Sequence, residues 1–79
     1  MPLPIESIDV GKCYLADRRQ RPQVWRVERI FPDGRLDYMN RPVDPSLKQV
    51  WRSGMTTLAF FAGVVSCEVP CDWIPENDG

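Results

Sequence analysis

Phe31-Pro32-Asp33-Gly34-Arg35 is the stretch on which the fold turns. Proline presets φ at the first central position of a turn, aspartate suits the second, and glycine can take the left-handed conformation that ends a type I turn in a bulge. The flanking runs, residues 23–31 and 35–41, are rich in Val, Ile, Tyr and Trp, so the chemistry predicts a β-hairpin. With Pro32, Asp33 and Gly34 as the loop, Phe31 faces Arg35, and the pairs run back as Arg29 with Asp37, Val27 with Met39 and Trp25 with Arg41. The other side pairs Ile30 with Leu36, Glu28 with Tyr38 and Arg26 with Asn40. A four-residue loop would instead set Arg29 against Tyr38, and the residues alone leave both registers open.

Outward from the hairpin, proline and glycine punctuate further short strand-like runs. A first strand is expected over residues 12–16, entered through Gly11, followed by a charged loop over 17–22. After a turn over 42–46, residues 47–52 read as a fourth strand, with Leu47, Gln49 and Trp51 on one side and Lys48, Val50 and Arg52 on the other. The period then changes: Met55, Leu58, Phe61 and Ala62 are spaced by three and four, a helical stripe that Ser53 or Thr56 could cap and Gly63 could end. Strand character resumes over 64–70. The 79 residues suffice for one small domain, with a core from about 5 to 74 and frayed tails at 1–4 and 75–79. Trp73 and Ile74 are expected to pack back onto it, since two large apolar residues would otherwise lie in water.

Charge is unevenly placed. All 10 basic residues lie between Lys12 and Arg52, where five acids oppose them, while Ser53 to Gly79 holds four acids and no base. Such asymmetry suits an anionic partner for the first part, or a solvated surface partly neutralised by the chain's own acidic end. The opening residues show no basic region followed by an apolar one, so a cytoplasmic setting with reduced thiols is expected. The longest apolar run, residues 58–65, is far short of the roughly 20 needed to span a bilayer, and no membrane partner is expected. Cys13, Cys67 and Cys71 could form a metal site only with Asp72 as fourth ligand; small buried hydrophobes are the simpler reading, since Cys67, Val69 and Cys71 share a face of an extended chain. No metal and no cofactor is expected.

The order of elements, with Gly11-Lys12-Cys13-Tyr14 at the first strand and Pro32-Asp33-Gly34-Arg35 at the hairpin, resembles the SH3-like barrel. The resemblance implies a mainly β fold: a five-stranded antiparallel SH3-like barrel with one short helix before the last strand. The Ala-Leu-Tyr-Asp-Tyr motif of peptide-binding SH3 domains is replaced near that place by Cys13-Tyr14-Leu15-Ala16-Asp17, which argues against polyproline recognition. The ending Glu68-Val69-Pro70-Cys71-Asp72-Trp73 is also similar to that of short uncharacterised bacterial proteins.

Three function classes follow. Catalysis is disfavoured, because the chain has no histidine, its cysteines lack an activating neighbour, and its glycines are isolated rather than grouped in a phosphate loop. Nucleic-acid binding would use bases interleaved with aromatic rings; Arg26, Arg29, Tyr38, Arg41, Lys48 and Arg52 are its candidate binding residues, although a pI of about 5.2 is low for such a role. A protein-interaction module is the leading expectation, binding a protein partner or a second copy as a homodimer. The run Leu58 to Ala62 is apolar all round, so Phe60 or Phe61 is expected at an interface.

Overall fold

The computed structural model describes residues 3–18, 21–44, 46–48 and 50–74, without the side chains of 17, 18 and 21. Five antiparallel strands form one sheet: β1 (Cys13–Arg18), β2 (Arg21–Ile30), β3 (Arg35–Pro42), β4 (Arg52–Thr57) and β5 (Val65–Val69). A short helix, α1 (Leu58–Val64), links β4 to β5, and a 3₁₀ turn over Ile5–Ser7 precedes β1. The strand order is β4-β3-β2-β1-β5. The mainly β fold and the helix before the last strand are as expected, but the barrel is corrected to an open sheet, because β4 and β5 are its two edges and do not pair.

The central turn forms as its residues dictate. The Phe31 N–H donates to the Arg35 carbonyl at 2.8 Å, the Gly34 N–H to the Phe31 carbonyl at 3.0 Å, and Gly34 takes φ +94°. Asp33 accepts from the Arg35 N–H at 3.1 Å, and this bond holds its carboxyl below the ordinary aspartate pKa. The three-residue loop sets Ile30 opposite Leu36 and Arg29 opposite Asp37, as expected. Beyond that the expected register is corrected by one residue: Glu28 is bulged out, so Val27 pairs with Tyr38, Arg26 with Met39 and Trp25 with Asn40. The core explains the bulge. Val27 and Ile30 are three apart and would fall on opposite faces of a regular strand, whereas the extra residue lets both meet the same apolar cluster.

Both faces of the sheet are covered. On the first, Tyr14, Ala16, Trp25, Val27 and Leu36 pack under α1 through Phe61 and Ala62, together with Val65 and Ile8. Trp25 stacks on Tyr38 with ring centroids 4.5 Å apart, and Phe61 meets both rings obliquely or edge-on. The buried Tyr14 hydroxyl donates to the Ser7 carbonyl and accepts from the Asp9 N–H, both at 2.9 Å, tying the N-terminal segment to this core. Burial raises its pKa. Leu3, expected in a frayed tail, donates its N–H to the Ala62 carbonyl at 3.1 Å and packs against the same cluster. The second face is smaller: Cys13, Val24 and Val43 are buried there, with Trp51, Val69, Cys71 and Trp73 packed around them. Trp73 therefore folds back as expected, whereas Ile74, expected to pack with it, stays 58% exposed.

Several boundaries differ from the sequence reading. The charged loop expected over 17–22 is strand at both ends, where Asp17 pairs with Pro22 and Arg18 with Arg21; residues 19 and 20 lie outside the described residues. Polar side chains here do not prevent backbone pairing. The fourth strand runs over Arg52–Thr57 rather than 47–52. Gly54 suits this placement: a Cβ there would lie 2.6 Å from Cζ of Tyr38, so the missing side chain leaves room for that ring. The helix then starts at Leu58 and is capped by Thr57, whose hydroxyl accepts from the Phe60 N–H at 3.1 Å, because Met55 and Thr56 are already committed to β4. The expected tail at 75–79 lies outside the described residues.

Candidate functional site

Of the side chains expected to bind, Arg26 and Arg41 are taken up in contacts within the second face. Cys13 begins β1 and lies across from Val69 near the end of β5, so Cys71, two residues beyond Val69, returns to it and the two form a disulfide. The expectation of three reduced thiols acting as small hydrophobes is corrected for this pair. Joined to each other, they offer no thiolate to a metal. Cys67 is a free thiol and exposed, on the outer strand β5 rather than in the core.

Arg41 is buried, at 5% exposure, and its Nη2 donates to the carbonyls of Cys71 at 2.9 Å and Trp73 at 2.6 Å. Burial pushes its pKa down, while the nearby charge of Asp72 acts the other way. The guanidinium thus holds the segment after β5 on the sheet. It also lies 5.3 Å from the centre of the Trp51 ring, over which the Arg26 guanidinium sits at 4.7 Å. Arg26 is in turn paired with Glu28 at 2.7 Å. At the hairpin end, Arg29 and Arg35 lie over Phe31 at 5.7 and 4.9 Å. The interleaving of bases and rings in the sequence therefore resolves into two separate cation–π clusters and not one continuous binding track. Lys48 and Arg52 are exposed outside both clusters, and Tyr38 is half-buried on the opposite face against Trp25.

What the sheet leaves open is its edges. β5 is guarded: its pairing with β1 is interrupted at Ser66, and it carries Glu68, which meets Lys12 at 3.6 Å. That carboxylate and Asp9 raise the Lys12 pKa. β4 has neither device after its first residue. From Ser53 to Thr57 it has no charge, no proline and no bulge, and its register with β3 is unbroken from Arg35 opposite Thr57 to Asn40 opposite Arg52. Met55 stands on this edge at 67% exposure, and Phe60, in the helix that follows, is 49% exposed. Of the two phenylalanines expected at an interface, Phe61 is instead wholly buried in the core. Helix geometry separates them, since consecutive residues point about 100° apart and one face of α1 suffices to cover the sheet.

Beside β4, on the second face, lies an open groove of about 500 Å³ that includes Asp37, Met39, Ser53 and Met55. Sequence reasoning missed this edge because it placed the fourth strand five residues too early. It missed the disulfide and the role of Arg41 because both depend on the pairing of β1 with β5, which joins residues far apart in the chain. No helix among the described residues is long and apolar enough to cross a membrane. Comparison with known proteins finds no family model, no curated protein and no solved structure that matches this chain.

Proposed function

We propose that this domain is a non-enzymatic protein-interaction module that accepts an extended segment of a partner along β4. The observation that carries the reading is the contrast between the two edges: β5 is interrupted and charged, whereas β4 from Ser53 to Thr57 is regular, uncharged and carries the exposed Met55. An open edge of this kind presents unpaired N–H and C=O groups to any chain that can add a strand. Phe60 extends the apolar surface at the end of that strand. The order β4-β3-β2-β1-β5 with a helical link before β5 supports an SH3-like arrangement in open form.

The test uses the whole chain. Sedimentation over a wide concentration range, at low and high salt and with or without a single-stranded oligonucleotide, reads self-association and nucleic-acid binding together. Amide chemical shifts during titration with an uncharged Thr/Val-rich peptide read strand addition. Shifts confined to residues 52–57, or a salt-insensitive gain in mass that Met55→Lys removes, support the reading. A monomer whose β4 amides ignore the peptide sinks it, and a gain in mass only with the oligonucleotide at low salt replaces it with nucleic-acid binding. The cytoplasmic setting remains part of the proposal and has its own test: protein taken from its compartment and alkylated at once carries three modifiable thiols if reducing conditions prevail, and one if Cys13–Cys71 is intact.

A further inference from the structure

The groove beside β4 gives the accepted strand a chemistry. Asp37 lies on β3 directly opposite Met55, half-buried at the groove wall, and its carboxylate makes no hydrogen bond or ion pair with any described residue. Its cross-strand neighbour Arg29 is turned over the ring of Phe31 instead. Glu28, bulged out of β2, adds a second carboxylate to the wall, with Oε2 engaged by Arg26. Met55 stands between Asp37 and the open edge, and Met39, two residues along β3 from Asp37, lines the same groove.

We infer that the partner segment is an extended chain with lysine or arginine at alternate positions, whose basic side chains cross Met55 to reach Asp37. This rests on strand addition at β4. A strand paired outside β4 lies roughly 10 Å from β3, and every second side chain points to the groove face. A short residue at those positions does not span that gap. A lysine or arginine does, laying its apolar stem on the two methionines and its charged head beside the carboxylates. A glutamate there would bring like charges together in a half-enclosed groove. A second copy of this chain is a poorer occupant, because its own β4 offers a single base, Arg52, at one end.

Three synthetic peptides of one length test this, with Thr and Val at one set of alternate positions and Lys, Gln or Glu at the other. Each is titrated into the oxidised chain by calorimetry and followed by amide shifts. The expected order is Lys tighter than Gln, and Gln tighter than Glu. Raised salt and Asp37→Asn should each bring the Lys peptide down to the Gln peptide, a loss of about fivefold for one partly exposed pair. The melting temperature of Asp37→Asn controls for folding, and an unchanged value is expected from a carboxylate without partners. If all three peptides move the β4 amides with equal affinity, strand addition stands and the basic partner is wrong. If none moves them, the edge reading itself fails. Binding of the Lys peptide that is unaffected by Asp37→Asn, or that shifts residues near Glu68 or Asp72 instead, also overturns the inference.

Discussion

The two faces of this sheet are held by different physics. The first is an aromatic core in which Trp25, Tyr14, Phe61 and Leu36 are all buried beneath a helix, and its stability is that of area removed from water. The second buries only Cys13, Val24 and Val43 completely among its apolar residues, and its cover is a few residues of chain after β5 with no regular structure. Covalent and ionic devices take over there: a disulfide anchors the cover at Cys71, and a buried guanidinium bonds its carbonyls at Cys71 and Trp73. A chain of 79 residues has too little apolar material to build two deep cores, and small domains commonly add cross-links where packing falls short. The lesson is that one sheet can be closed by packing on one side and by fastening on the other.

The contrast can be broken one face at a time. Trp25→Ala removes the largest side chain of the aromatic face and should cost about 3–5 kcal/mol, read as the shift of a urea transition. Disrupting the fastened face by Cys71→Ala opens a cross-link between residues 58 apart. The chain-entropy account puts that at about 4 kcal/mol. Here the two faces separate: the cysteine variant should keep the near-ultraviolet signal of Trp25 while losing that of Trp73, and simultaneous loss of both would show that the faces are not independent. Arg41→Ala leaves the carbonyls of Cys71 and Trp73 without their donor and is expected to cost about 2–3 kcal/mol in the oxidised protein. Thr57→Ala, which removes the cap of the covering helix, should cost about 1 kcal/mol, measured by thermal unfolding.

The smallest effect concerns the hairpin that joins β2 to β3, the strands common to both faces. Asp33 has its pKa lowered in the folded state, first by the bond from the Arg35 N–H. Its contribution is therefore complete above the ordinary aspartate value of about 3.9 and is lost as pH falls through the lower folded value. Asp33→Asn should flatten the melting temperature across that acid window and lower it slightly at neutral pH, where the carboxylate's contribution is complete.

Legibility in the sequence follows range. The turn at Pro32-Asp33-Gly34 was readable because its chemistry is local, and so was the pairing of Ile30 with Leu36 two steps away. The bulge at Glu28 was not, because it answers to the apolar cluster and not to the turn. The fourth strand was misplaced because Arg52-Ser53-Gly54-Met55-Thr56-Thr57 lacks the bulky residues that mark strands, and its fitness comes from the space Gly54 leaves for Tyr38. Among the candidate binding residues, Arg41 looked like its neighbours in sequence; only the fold distinguishes a base that fastens the chain from one, like Arg52, that remains at the surface.

The bond between Cys13 and Cys71 has a mechanical consequence. β1 begins at the first of these residues and β5 ends two before the second, so all five strands and the helix lie inside one closed ring of chain, with the termini attached at the clasp. Tension applied between the two ends passes across the sulfur atoms and bypasses the sheet. Held in series with other segments under load, the oxidised domain would transmit force without unravelling, and only the reduced one would lengthen.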